Sequence, residues 1–321
     1  MKSWKTGLLA GLSLAIAIVG AAVAQDFPNK PVRVIVPTNA GGSVDAVARI
    51  VQRYVDESGV LGQKLAVVNM PGAGGTIGTR AVLEAEPDGY TIGLWHEGLI
   101  TSKVMGVVDY DHTDFRILGI TGYTEIGLGV GDDNESDTYD DLMARAEANP
   151  DTVLVATNVG LAVHFVPLML QDKAGVVFRY VQVGGGAKRF PSVVAGHTDM
   201  AIFSVSEFVK WQTAGLKPIV IFSEERVPEL PDVPTAKEKG IDLIANSMRI
   251  WVAPKDAPNE AFNKLAEVLR SAVESEAGSK ALTDAGFRAV FIGPEDTVAI
   301  LDEWKANAEP LVATAKELKA E

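Results

Sequence analysis

Val32-Arg33-Val34-Ile35-Val36-Pro37-Thr38-Asn39-Ala40-Gly41-Gly42-Ser43-Val44-Asp45 reads as a strand, a tight turn and the start of a helix. Val32, Val34, Ile35 and Val36 form a short β-branched run of the kind that fills a buried strand, and Pro37 ends it. Gly41 and Gly42 then permit backbone angles that other residues resist. From there Val44, Val47, Ala48, Val51, Tyr54 and Val55 recur at helical spacing, with Ser43 as the expected N-cap and Asp45 in the first turn. Such a turn presents amide groups that lack intrahelical partners at the positive end of a helix dipole, which suits a carboxylate or a phosphate. The same residues also fit an ordinary strand-to-helix turn that binds nothing.

The pattern recurs downstream. Lys64 to Val68 reads as a strand running into Asn69-Met70-Pro71-Gly72-Ala73-Gly74-Gly75-Thr76, Thr76 to Leu83 as a helix, and Tyr90 to Trp95 as a third strand. A βαβαβ order predicts a parallel sheet with helices on its faces, and ligands of such sheets gather beyond the carboxyl ends of the strands, where both glycine-rich turns lie. Between Phe115 and Gly131, two extended apolar pieces broken by Gly119 and Gly122 are expected to carry the chain into a second lobe near Thr124. The alternation then restarts, with strands at 152–156, 176–183, 200–203 and 217–222 and helices at 162–171, 189–194 and 207–213. A return crossing is expected within 247–253, followed by helices at 259–275 and 296–319 around a short strand near 288–291. The expected fold is therefore α/β and two-lobed, with two doubly wound, mainly parallel sheets and a ligand cleft between the lobes. Lobe 1 would comprise 25–124 and 247–321, and lobe 2 would comprise 125–246.

The N-terminus combines Lys2 and Lys5, an apolar run from Leu8 to Val19, and Ala22-Val23-Ala24. This is the three-part pattern of a secretory signal peptide spanning residues 1–24, with cleavage expected after Ala24. The apolar run is short for a bilayer span, and no later run is long enough for one. The net charge of −13, without a basic run, argues against nucleic acid as a partner. The absence of cysteine excludes disulfides, thiolate metal sites and a cysteine nucleophile. The glycine clusters complete no nucleotide motif: Ile77 stands where the dinucleotide fingerprint that would begin at Gly72 needs glycine, and no Walker motif is present. His96, His112, His164 and His197 show no paired metal spacing, and no serine sits in a nucleophile elbow. The expectation is a binding protein with no catalytic residue, no cofactor and no metal.

Six motifs in chain order carry a family resemblance: Phe-Pro-x-Lys-Pro-Val-Arg at 27–33, Gly-Gly-x-x-Asp at 41–45, Leu-Gly-Gln at 61–63, Asn-x-Pro-Gly-Ala-Gly-Gly at 69–75, Pro-Asp-Gly-Tyr-Thr at 87–91 and Leu-Pro-Asp-Val-Pro-Thr at 230–235. Together they resemble the substrate-binding proteins of tripartite tricarboxylate transporters, the Bug family. The resemblance implies a periplasmic receptor of the Venus-flytrap type, expected to be a monomer, that captures a small organic acid and passes it to a two-subunit membrane permease. It implies that Thr38, Asn39, Ala40, Gly41, Gly42 and Asp45, with Ala73, Gly74, Gly75 and Thr76, hold one carboxylate through amide groups and ordered water. Trp95 and His96 would line the pocket. In the second lobe Thr157, Asn158, Gly160 and His164 match one pocket turn, Gly185, Gly186 and Ala187 match the next, and Ser204 follows a strand end facing the same cleft.

Departures from the family pattern bear on the substrate. Thr38-Asn39-Ala40 replaces a rigid Phe-Pro-Pro, Val183 and Gly184 stand where tyrosine and lysine are usual, and Lys188 and Arg189 follow a turn usually continued by small or apolar residues. Those two cations either reach a distal acid group of the ligand or point to solvent. Two other readings of the chain stay open: a secreted α/β enzyme acting on a small organic acid, and a receptor that presents its ligand to a membrane sensor.

Overall fold

The run at 32–36 forms strand β1 (Val32–Val36), with its valines and Ile35 fully buried and Arg33 turned outward to Thr91 Oγ1 at 3.3 Å. A computed structural model describes residues 27–158 and 162–313 of the chain. Helix α1 (Ser43–Ser58) buries Val44, Val47, Ala48, Val51 and Val55 along one face, as the spacing predicts. Strand β2 (Leu65–Asn69), helix α2 (Thr76–Leu83) and strand β3 (Thr91–Trp95) complete the opening unit. β1 runs parallel to both neighbouring strands, with Val34 opposite Val67 on one side and Ile92 on the other. All of these strands therefore end on the same edge, and their loops meet there. Helix α3 (Gly98–Val104), which the apolar pattern did not announce, follows directly on β3.

Strand β4 (Phe115–Gly131) is a single strand of 17 residues where two broken pieces were expected. Gly119 and Gly122 are points of register shift within it, because the chain near 288–292 packs against them. A Cβ at Gly122 would collide with the Arg288 carbonyl. The segment expected as a strand near 288–291 accordingly makes two isolated bridges, Ile120 with Ile292 and Tyr123 with Arg288.

The second lobe follows in the order α4 (Tyr139–Ala148), β5 (Leu154–Thr157), α5 (Ala162–Ala174), β6 (Arg179–Gln182), α6 (Gly186–Val194), β7 (Met200–Ser204), α7 (Val205–Trp211) and β8 (Leu216–Ile221). Strand β9 (Asn246–Pro254) then returns the chain, and α8 (Asn259–Glu274), α9 (Glu276–Asp284) and α10 (Pro294–Ala308) close the first lobe. α4 was not anticipated, although its start is written locally: Thr138 Oγ1 accepts from the Asp141 amide at 3.2 Å and Asp141 Oδ2 accepts from the Thr138 amide at 3.1 Å.

The strands lie in the order β2-β1-β3-β9-β4-β7-β5-β6, with β8 also on β4. β4 pairs with β9 as far as Glu125 opposite Asn246, and from Ile126 onward it pairs with β7 and β8. The expected parallel pairing describes the outer strands, β1 with β2 and β3, and β5 with β6 and β7. The two crossing strands run antiparallel to their neighbours, because β4 carries the chain out of one lobe and β9 brings it back beside it. One apolar core surrounds β1, β3 and β9 with α1 and α8, and separate cores lie around the strands of the second lobe. The cleft between these cores is where the strand-end turns of both lobes meet.

Candidate functional site

A cavity of about 730 Å³ occupies the cleft. The turn after β1 contributes Thr38, Asn39 and Gly42, followed by Ser43 and Val44 of α1. Gly42, and not Ser43, is the N-cap of that helix, and no side chain caps it. Ser43 instead uses its hydroxyl to accept a hydrogen bond from Arg249 Nη2 at 3.0 Å. The first amides of α1 are thus left for a ligand or water, at the end of the helix that favours negative charge.

Asp45 holds this turn from behind and does not line the cavity. Its carboxylate, 2% exposed, accepts from the Gly41 amide at 2.8 Å, from Arg49 Nε at 3.0 Å and from Asn69 Nδ2 at 2.9 Å. Burial would raise its pKa, but the hydrogen bonds from Gly41, Arg49 and Asn69 outweigh burial and keep the group below its ordinary value. Asn69 also donates to the Thr38 carbonyl at 3.1 Å, which ties the turn after β1 to the end of β2. Ala40 and Gly41 likewise sit outside the lining, on the exposed side of the turn.

The second glycine-rich turn contributes Ala73, Gly74 and Gly75 to the wall, as a one-turn 3₁₀ helix. Gly75 has φ +96°, and a Cβ there would overlap the Trp95 ring, so the packing of Trp95 demands glycine at this position. Thr76 lies just beyond the wall, where its hydroxyl donates to the Ala73 carbonyl at 2.8 Å and closes the turn. Trp95 and His96 both line the cavity and stack with centroids 3.9 Å apart. His96 Nδ1 accepts from the Gly98 amide at 2.9 Å, which leaves the neutral ring with its proton on Nε2. Burial, reinforced by the charges of Arg249 and Arg189, pushes the His96 pKa down to about 3.

Two buried ionisable groups at the base of the site went unread in the sequence. Glu97, 1% exposed, lines the cavity and accepts from the Met248 amide and from Ser247 Oγ. Burial raises its pKa to about 7, against the lowering effects of those bonds and of Arg249. Arg249, also 1% exposed, donates to Ser247 Oγ at 2.9 Å and to the Met248 carbonyl at 3.1 Å and lies over the Phe287 ring. Burial brings its pKa down to about 10, opposed by Glu97 and Glu207. The position of Glu97, next to a strand end already expected in the pocket, was an available signal. Arg249 had none, since an arginine inside an apolar strand says nothing about what it faces.

In the second lobe Asn158, Gly185, Gly186, Ala187 and Ser204 line the cavity. Thr157 and His164 do not. Thr157 is buried and donates its hydroxyl to the Val163 carbonyl at 2.9 Å, which shapes the turn. His164, 1% exposed, packs its ring edge-on to Tyr180 with centroids 5.0 Å apart, and burial takes its pKa down to about 4. Gly160 lies outside the described residues. The Ser204 hydroxyl caps α7, in a reciprocal pair with Glu207 at 2.9 Å. Lys188 is exposed and stands at the rim of the cavity. Arg189 does not point to solvent, because it is 5% exposed and folded into the wall. Lys210 of α7 reaches across the cleft and donates to the Gly41 carbonyl at 2.9 Å.

The sequence profile described as the tripartite tricarboxylate transporter family receptor matches residues 47–316. The chain belongs to this family. A UPF0065 protein in the TAR-I ttuE-ttuC' intergenic region of Agrobacterium vitis is 30% identical over 315 residues, covering 96% of this chain and 90% of its own. Protein BugT of Bordetella pertussis is 28% identical over 325 residues, covering 98% and 99%. Among solved structures, the periplasmic binding protein BugD superposes with a TM-score of 0.83 at 26% identity, covering 90% of this chain and 99% of its own. MatC of Rhodopseudomonas palustris, solved with bound malate, gives 0.81 at 26% identity, covering 89% and 100%. This tripartite tricarboxylate transporter receptor thus has the two-lobed periplasmic-binding-protein fold, and its cavity lies in the cleft between the lobes.

Proposed function

We propose that this receptor closes its two lobes on a small organic acid in the periplasm and delivers it to a two-subunit membrane permease. The observation that carries the reading is the cavity wall itself. An uncapped helix N-terminus and a glycine-rich turn meet there at adjacent strand ends, offering amide donors and a positive dipole to a carboxylate. The malate bound by MatC, at 26% identity, supports a carboxylate as the ligand. Residues 1–24 act as the export signal, and the mature protein begins at Gln25 and works as a monomer. The lobes divide at 124/125 and 246/247, a reading supported by the switch of β4 from β9 to β7 between Glu125 and Ile126. The ligand-binding residues are those of the expected set that line the cavity, with Asp45, Thr76 and Thr157 shaping the turns behind them.

The protein binds without chemical change. That reading is supported by the commitment of Ser204 to a helix cap and by His164 lying away from the wall. The test is a thermal-shift panel of mono-, di- and tricarboxylates on the mature protein, with recovered ligand identified by mass spectrometry. A ligand at about 100 times its dissociation constant should stabilise the protein by about 2.7 kcal/mol. No response from any acid would refute carboxylate capture, and a chemically altered acid would identify an enzyme.

A further inference from the structure

Arg189 occupies the first turn of α6, where the helix dipole disfavours a cation. Its guanidinium turns back toward the strand ends. Nη1 donates to the Gly184 carbonyl at 2.9 Å and Nη2 to the Ile202 carbonyl at 3.0 Å, and both of those residues line the cavity with it. Nε is buried and has no hydrogen-bond partner. Burial lowers the arginine's pKa, and Glu207 opposes that through space, but its Oε2 is already bonded to the Ser204 amide and hydroxyl. Among the described residues, no carboxylate comes within ion-pair distance of Arg189. A buried guanidinium satisfied only by carbonyl dipoles keeps its net charge, and an anion in the cavity would neutralise it. The amide groups of the turns after β1 and β2 belong to the other lobe. The two lobes therefore offer separate positive poles to one ligand.

We infer that Arg189 is the specificity-determining cation of the site, binding a second acid group so that the protein prefers organic acids with two anionic groups to those with one. This rests on the proposed capture of an organic acid and assigns the far end of the ligand. A dianion held at both poles ties the lobes together, whereas a monoanion engages one lobe and leaves Arg189 unpaired. Lys188, exposed at the rim, serves as an internal control.

The experiment is calorimetric titration of the mature protein with matched straight-chain pairs of four to eight carbons, such as hexanedioate with hexanoate. The wild type should bind at least one diacid more tightly than its monoacid partner by roughly tenfold or more, the scale of a hydrogen bond to a charged group. Arg189→Gln should weaken that diacid by roughly 10- to 150-fold and the monoacid by less than about threefold, with Arg189→Lys restoring part of the preference. Lys188→Ala should leave the ratio unchanged. Equal affinity of the wild type for both members of every pair overturns the inference with no variant needed. Equal losses for both acids in Arg189→Gln, or loss of the preference in Lys188→Ala, overturn it too. Each of those outcomes leaves the receptor reading standing, whereas failure of the wild type to bind any acid removes that reading first.

Discussion

Replacing Asp45 by asparagine tests whether this carboxylate builds the anion-binding turn or faces the ligand. The buried carboxylate receives three donors, the Gly41 amide at 2.8 Å, Arg49 Nε at 3.0 Å and Asn69 Nδ2 at 2.9 Å. An asparagine oxygen can replace one oxygen of the acid, but its NH₂ must then face donors on the other side. One buried charge-assisted hydrogen bond is lost outright, a cost of about 1.5 to 3 kcal/mol. The Arg49 side chain is half exposed, so its charge attraction adds at most about 1 kcal/mol. Asp45→Asn should therefore lower unfolding free energy by about 2 to 3 kcal/mol at pH 7, read by urea titration of tryptophan fluorescence. The folded pKa of Asp45 is depressed, so its contribution is complete above the unfolded value and vanishes as pH falls through the folded one. The two proteins should differ by a constant amount above about pH 5 and converge below the ordinary value of 3.8. Ligand affinity should fall only a few-fold, through loosening of the Gly41 turn. A sharp rise in affinity would place the carboxylate against the ligand, and a stability difference that ignores pH would refute the account of the turn.

Three further perturbations probe the wall and the cleft. Glu97 has a folded pKa raised to about 7, so its neutral form is the stable one and the wild type should lose stability as pH rises from about 5 to 8. Glu97→Gln should flatten that dependence and be more stable than the wild type at pH 8 by on the order of 3 kcal/mol, whereas parallel pH profiles for the two proteins would exclude a buried, titrating Glu97. Gly75→Ala drives a Cβ into the Trp95 ring at φ +96° and should cost at least about 2 kcal/mol in denaturant titration, so a melt like that of the wild type would mean Trp95 does not pack on the turn. Lys210→Met removes the hydrogen bond from Nζ to the Gly41 carbonyl across the cleft and should weaken ligand binding by about 0.5 to 1.5 kcal/mol in calorimetry with little change in melting temperature, and unchanged affinity would show that the contact contributes nothing to closure.

Local patterns carried most of the architecture. The β-branched run of β1, the valine face of α1 and the limits of α2 were legible because strand and helix periodicity depend on neighbours two to four residues away. The glycine-rich turns could be placed at strand ends for the same reason, and the six ordered motifs pointed to the family. What each polar side chain faces could not be read locally. Ser43 leaves the capping position to Gly42 and turns its hydroxyl to Arg249, and the acid and amide at 97 and 248 that meet in the base of the site come from the end of β3 and from the returning strand β9. The continuity of β4 through Gly119 and Gly122 depends on a segment at 288–292 that packs against those glycines, so the sequence there reads as a break. Arg189 is the clearest case: next to an exposed lysine in a helix start it reads as surface, and only the approach of the Gly184 and Ile202 carbonyls turns it inward. Periodicity and turn chemistry act within a few residues and are written in order along the chain. Burial, charge pairing and the shape of the cavity arise between segments as far apart as Ser43 and Arg249, and they exist only once those distant segments have packed.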